Sequence, residues 1–229
     1  MTILNGTSFR IRGGAITTII GPNGAGKSTV FKAVFGLLKV AAGRVAFAGR
    51  DVTNKKPREL LDLGIAYVPQ GRNIFPELSV RHNLELGGVK ARDRVKLRAR
   101  IDAALERFPV LRRKAAAQAS TLSGGEQKLL EIARGLLLEP KLVLIDEPSI
   151  GLSPKLVGEV LGIVRGLRDA GVTILMVEQN AKSALEISDD GIVLELGRVR
   201  LEGSARAILD DPRIVDLFLG GTTREEKVA

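Results

Sequence analysis

Apolar residues along the chain fall into short unbroken runs alternating with stretches of helical spacing. Ala15–Ile20, Ile65–Pro69, Lys141–Asp146 and Thr173–Val177 have the length and composition of buried strands. Between them, Val30–Leu38 places Val30, Phe31, Val34, Phe35 and Leu38 on one helical face. Further helices are expected from Pro57 to Leu63, from Ser123 to Leu138 and from Ala181 to Ile187. Another opens at Ser153-Pro154, with Ser as N-cap and Pro at the first helical position. Thr7–Arg12 alternates and predicts a half-buried strand, and Gly43–Gly49 predicts another. Ile192–Leu196 and Val199–Glu202 predict a hairpin around Gly197-Arg198. Short helices follow over Ser204–Leu209 and Pro212–Leu219, then a charged tail, 222–229, expected to be mobile. Strands alternating with helices predict an α/β fold with a mainly parallel sheet covered on both sides.

Residues 73–121 break this rhythm. Ser79–Leu86 reads as a helix, and Asp93–Phe108 as a longer one interrupted by Pro109. The expected organisation is therefore one domain over 1–229, with a core of 1–72 and 122–221 and a helical subdomain over about 73–121. Charge is concentrated in that subdomain. The chain carries a net charge of +9, and Val89–Gln118 alone holds ten Lys/Arg against three Asp/Glu. Such a run reads either as a solvated face or as a face near a membrane or nucleic acid. Composition narrows the chemistry. There is no cysteine and a single histidine, His82, which excludes disulfides, thiolate metal sites and histidine clusters. No run of about 18 apolar residues predicts a membrane span, and Met1–Gly14 does not read as a secretory signal.

Three stretches carry the chemistry. Gly21-Pro22-Asn23-Gly24-Ala25-Gly26-Lys27-Ser28-Thr29 fits G-x-x-x-x-G-K-[ST], the phosphate-binding loop, and lies between a strand and a helix as that motif requires. Its glycines let backbone N–H groups turn inward around a phosphate. The following helix points about half a positive charge at the same anion. Lys27 would reach the β- and γ-phosphates, and Ser28 would place its hydroxyl on Mg²⁺. Leu142–Glu147 delivers two acids at a strand end: Asp146 suits Mg²⁺ through a water, and Glu147 suits the general base that deprotonates attacking water, worth about 10²–10⁴-fold in rate. Leu122–Gln127 has capping-box spacing between Ser123 and Glu126, yet Gly124 and Gly125 sit between them. Glycines there weaken a helix built only for stability, and permit close approach of a ligand to the backbone. One domain does not readily fold two anion sites around one phosphate, so Ser123–Gly125 is expected to act on a nucleotide held by another subunit.

With these motifs in order, the sequence resembles the ATP-binding subunits of ABC transporters from about residue 3 to 221. Gly21–Thr29 matches the Walker A loop, Gln70 the glutamine loop, Leu122–Gln127 the signature, Leu142–Glu147 the Walker B strand and Pro148–Leu152 the D-loop. The resemblance implies a P-loop NTPase core with antiparallel β elements and a helical subdomain. It also implies ATP and Mg²⁺ as cofactors, Ser28, Gln70 and Asp146 at the metal, and Glu147, Gln70 and Gln179 in hydrolysis. Two ATP molecules would lie in a head-to-tail dimer, between one subunit's Walker A loop and the other's Ser123-Gly124-Gly125. The implied partners are a second ATPase subunit, integral membrane permeases that meet the helical subdomain, and indirectly a periplasmic solute-binding protein. The implied location is the cytoplasmic face of the inner membrane. Tyr67–Phe75, Glu147–Pro154, Val177–Asn180 and Leu217–Gly221 further resemble the branched-chain amino acid importer group. Urea and amide importers share these features.

Two departures stand out. The switch position, histidine in most of the family, is Gln179, which can donate a hydrogen bond but cannot exchange a proton near neutral pH. The chain as given also begins after the aromatic that stacks on adenine in the family, a contact worth about 1–3 kcal/mol: either the start is misassigned or the contact is absent, and for the chain as written weak adenine selectivity is expected. A soluble ABC-type ATPase acting on nucleic acid is the competing class. It is disfavoured because the chain has one motor domain and no coiled-coil or zinc insertion. A binding-only partner is disfavoured by the presence of Lys27, Asp146 and Glu147.

Overall fold

The computed structural model describes residues 3–91 and 93–214. Among these, six strands form one sheet in the order β4-β5-β6-β1-β7-β8. They are β1 (Ile16–Ile20), β4 (Ile65–Val68), β5 (Leu142–Asp146), β6 (Thr173–Val177), β7 (Asp190–Glu195) and β8 (Arg198–Ser204). The first five in spatial order run parallel, and β8 turns back antiparallel on β7. Two short strands, β2 (Ala46–Phe47) and β3 (Arg50–Asp51), pair antiparallel by themselves. The parallel strands are buried along almost their whole length, as a sheet covered on both faces must be.

Side chains of β5 alternate between two cores. Leu142 and Leu144 pack with Val30 and Phe31 of α1 (Lys27–Val34). Val143 and Ile145 pack with Leu130 and Ala133 of α6 (Gly124–Leu136) and Val164 of α7 (Pro154–Asp169). Because successive strand residues point to opposite faces, α1 and α6 cover opposite faces of the sheet. The α6 core continues into α3 (Val80–Gly87), α4 (Arg94–Arg107) and α5 (Pro109–Arg113), so the helices of 73–121 share a core with the sheet. A third cluster joins α8 (Ala181–Ile187) and α9 (Ala205–Leu209) to Ile20 and Val193. The remaining α2 spans Pro57–Asp62.

Several expectations are corrected. Thr7–Arg12 alternates in burial but forms no strand, and Phe9 and Ile11 simply pack against the α1 core. Gly43–Gly49 contributes only the two residues of β2, because Ala48 and Gly49 turn with positive φ. The first helix starts at Lys27 and stops at Val34, where Gly36 (φ +69°) reverses the chain and leaves Leu37 and Leu38 exposed. Pro109 opens α5 rather than merely ending α4, since a missing N–H costs nothing at a helix start. The hairpin strands are longer than expected at their outer ends. The helix expected over 212–219 is described only as far as Ile214, and the tail 222–229 lies outside the described residues.

Leu130 is fully buried at the junction of α6 and the sheet, whereas Val95 on α4 is 78% exposed. Leu130→Ala is expected to destabilise the protein by about 2–5 kcal/mol. Val95→Ala should stay within about 0.5 kcal/mol. Urea unfolding of both variants measures the contrast.

Candidate active site

Four loops converge at the carboxyl ends of adjacent parallel strands, the edge where open α/β sheets bind ligands. The loop after β1 carries Gly21–Gly26, the one after β4 carries Gln70, the one after β5 carries Glu147, and the one after β6 carries Glu178 and Gln179. At Gly21 a Cβ would lie 2.1 Å from the carbonyl oxygen of Leu194, so only glycine fits against β7. Gly26 (φ +100°) occupies the N-cap of α1 and supplies no side-chain acceptor. The first N–H groups of α1 therefore lack a side-chain cap, the condition for anion binding at a helix start. Gly24 (φ +81°) has open space where a Cβ would stand. Lys27 is 5% exposed, and its ammonium donates to the carbonyls of Gly21 (2.8 Å) and Pro22 (3.1 Å). Burial lowers its pKa, while Glu147 and Asp146 oppose that shift. Pro22, Asn23, Ala25 and Thr29 complete the loop around it.

Asp146 ends β5 and is 2% exposed. Ser28 Oγ lies 3.4 Å from its Oδ1, and the Tyr67 hydroxyl donates to its Oδ2 at 3.1 Å. Burial raises the Asp146 carboxyl above its ordinary range, against the bonds from Tyr67 and Ser28 and the charges of Lys32 and Lys27. Hydroxyl and carboxylate oxygens beside a phosphate loop are the hard donors that Mg²⁺ takes. Among the described residues no cluster of three His, Cys, Asp or Glu could hold a metal. Tyr67 itself is locked by Phe31 of α1 and by Phe35 just after its end, at 6.1 and 5.3 Å between ring centroids.

Glu147 has φ +46°, a conformation that costs a non-glycine residue about 1–3 kcal/mol. Its N–H donates to Val177 O at 2.9 Å, so the strand bonding continues while the side chain turns out toward the loop. Gln70 Nε2 donates to Glu147 Oε2 at 2.7 Å, which leaves the Gln70 side-chain oxygen, Oε1, as an acceptor. Burial pushes the Glu147 carboxyl up, partly offset by Lys27 and reinforced by Asp146 and Glu178. A carboxylate with a raised pKa is a stronger base than a solvated one.

Gln179 is exposed at the end of β6. Its neighbour Glu178 is 2% exposed and accepts from Ser149 N (2.8 Å), Ser149 Oγ (2.8 Å) and Gln179 N (3.1 Å). One buried carboxylate thus ties the loop after β5 to the loop bearing Gln179, beside a groove of about 450 Å³ lined by Ser149, Leu152, Val157, Gln179 and Ser183. Sequence reasoning gave no role to Tyr67 or Glu178. The available signal was a lone tyrosine and an acid inside or next to buried strands, each needing a polar partner.

Ser123 caps α6 as predicted: Glu126 N donates to its Oγ, and Ser123 N donates to Glu126 Oε2 at 2.8 Å. Lys114 from the end of α5 donates to both Glu126 oxygens at 2.8 Å. The two glycines separate in role. A Cβ on Gly125 would meet Leu156 Cδ2 at 2.7 Å, so Gly125 packs directly against α7 in its own chain and a side chain there would displace Leu156. Gly124 is half-buried, with only an ordinary contact 3.6 Å away. The geometry brings Gly21–Thr29, Gln70, Asp146 and Glu147 together, but leaves Ser123–Gly125 at the start of the helix on the other face of the sheet.

The family model described as ABC transporter matches residues 4–150. A high-affinity branched-chain amino acid transport ATP-binding protein of Pseudomonas aeruginosa is 39% identical over 95% of this chain and 93% of its own length. A probable branched-chain amino acid transport ATP-binding protein of Archaeoglobus fulgidus is 41% identical over 92% of this chain and 89% of its own. Among solved structures, a dimeric post-hydrolysis state of an ATP-binding cassette with bound ADP and Pi superposes with a TM-score of 0.77 at 29% identity, covering 89% of this chain and 91% of that one.

Desolvation raises Asp146, Glu147 and Glu178 in the folded state. The native protein therefore holds these protons more tightly than the unfolded chain, and the stability they contribute falls as pH rises from the ordinary carboxylate range through the raised values. Glu147→Gln removes one such group. Its unfolding free energy should decline less steeply with pH across that window than that of the unaltered protein, measured by urea unfolding at a series of pH values.

Proposed function

The chain belongs to the ABC transporter family as an ATP-binding, ATP-hydrolysing subunit, and on that premise we propose that it powers an importer of branched-chain amino acids. In this reading it is peripheral, on the cytoplasmic face of the inner membrane, beneath integral permease subunits fed by a periplasmic solute-binding protein. Among the described residues no helix is long and apolar enough to cross a membrane. The solute assignment is supported by the likeness to the Pseudomonas and Archaeoglobus transport proteins.

Gly21–Thr29 wraps the ATP phosphates, with Lys27 turning from its loop carbonyls to the β- and γ-phosphates. Ser28, Asp146 and Gln70 would hold Mg²⁺, which would neutralise charge on the phosphate oxygens. Glu147 takes the proton of the attacking water, and Gln70, bonded to Glu147, orients that water. Gln179 donates a hydrogen bond to the γ-phosphate. A second subunit supplies Ser123, Gly124 and the start of its α6, so each ATP is enclosed only in the dimer. The observation that supports this reading is the separation of α1 and α6, whose starts are the two proposed anion sites. α1 and α6 cover opposite faces of one sheet, so a second copy or a paralogue is what brings another α6 to the Walker A loop.

Reconstitution with the permease pair in vesicles tests the proposal. ATP hydrolysis should rise when a binding protein loaded with leucine, isoleucine or valine is added. Stimulation by urea or short amides instead would move the solute assignment, and stimulation by DNA or RNA without permease would overturn it. Glu147→Gln is expected to lower kcat by about 10²–10⁴-fold while ATP binding, measured by fluorescence titration, persists. Gln179→Leu removes a hydrogen bond to a charged group, about 1.5–3 kcal/mol, and should slow turnover roughly 10–150-fold. Full turnover in Gln179→Leu would defeat its assigned role.

A further inference from the structure

The segment that follows Gln70 is gripped by three charged side chains on consecutive turns of α6. Lys128 Nζ donates to the Gly71 carbonyl at 3.0 Å. Glu131 Oε1 accepts from Asn73 N, and Arg134 donates to the Asn73 carbonyl. Lys128 also pairs with Glu131 Oε2, with side-chain exposures of 7% and 2%. The guanidinium of Arg134 lies 5.6 Å from the Phe75 ring centroid. Beyond that point, Phe75 exchanges both backbone bonds with Asn83 of α3, itself fully buried. Asn73 Nδ2 closes the turn on the Gln70 carbonyl at 3.1 Å. Gly71, with φ +88° and open space where a Cβ would stand, is the bend between the grip and Gln70.

A buried ion pair is an inefficient way to stabilise a helix, because desolvation consumes most of the Coulomb gain and well-packed apolar replacements are often neutral or better. What Lys128 and Glu131 supply that apolar residues cannot is a fixed set of partners for backbone groups of residues 71 and 73. Those bonds set where the chain leaves Gln70. Gln70 in turn touches Glu147, and α6 begins at Ser123–Gly125. We propose that Lys128 and Glu131 are positioning residues that hold Gln70 against Glu147. This rests on the role given above to Gln70. The bonds of Lys128 and Glu131 run to Gly71, Asn73 and each other, so their effect falls on the chemical step rather than on ATP binding.

The test uses the full chain, with kcat and KM for ATP, thermal unfolding, and a cycle with Gln70→Ala. Glu131→Ala is expected to lower kcat on the order of ten-fold or more, since small misplacements of a water-orienting group are costly, with KM changed less than about twofold. Glu131→Gln keeps an acceptor for Asn73 N and should recover most of kcat. Equal damage in both variants would overturn positional control. The Lys128→Met/Glu131→Leu pair should keep the unfolding temperature and still lose kcat, and an undiminished kcat there would overturn the inference. In the Gln70→Ala background, Glu131→Ala should add nothing. A Gln70→Ala protein slowed further by Glu131→Ala would defeat the inference alone. A Gln70→Ala protein with undiminished kcat would defeat the role of Gln70 and the inference with it.

Discussion

A buried ammonium and two buried carboxylates meet at one edge of a parallel sheet, and much of the structure compensates that placement. Lys27, Asp146 and Glu147 are each at most 8% exposed. Isolated charges so placed are strongly disfavoured unless paired or hydrogen-bonded. Tyr67 and Ser28 answer Asp146, Gln70 answers Glu147, and loop carbonyls answer Lys27. The desolvation that remains pushes Lys27 down and both acids up. Such a site is poised for a ligand that brings its own balancing charges: phosphate oxygens for the ammonium and a divalent cation for the acids.

The parallel arrangement makes this convergence possible. Adjacent strands β4, β5, β6 and β1 all end at the same edge, so residues distant in sequence arrive within a few side-chain lengths. The hairpin of β7 and β8 adds support from outside. Its turn residue Gly197 donates to Ala25 O at 2.9 Å and accepts from Asn5 N at 3.0 Å, and Gly21 packs directly on Leu194 O. The phosphate loop is thus shaped partly by a hairpin far downstream. The Glu178 carboxylate gives the loops after β5 and β6 a comparable common anchor.

The α6 helix is the second organising element. It is buried along most of its length, so polar residues on it must find partners inside the protein. Gln127 bonds the Leu122 carbonyl, and Lys128, Glu131 and Arg134 bond the segment after Gln70. Its start is tied to α5 through Lys114 and Glu126. One rigid helix therefore touches the helices of 73–121, the sheet and the glutamine segment at once.

Much of this was legible in the sequence because the signals are local. A loop pattern between a strand and a helix, two acids ending an apolar run and a capping box each depend on a few neighbouring residues, and each lies in the element where periodicity put it. Alternation at Thr7–Arg12 correctly reported burial, yet whether an extended segment pairs depends on a partner that periodicity does not reveal. The glycines of 124–125 look alike in sequence. Only packing distinguishes Gly125, pressed on Leu156, from Gly124. Tyr67 and Glu178 gained their parts through contacts 79 and 29 residues away, beyond the reach of any local pattern. The sequence by itself determined which residues could bind phosphate, hold a cation and serve as a base. The tertiary structure decided which of them share an edge of the sheet and which lie across it, because strand order and side-chain alternation are properties of the assembled sheet and not of any one segment.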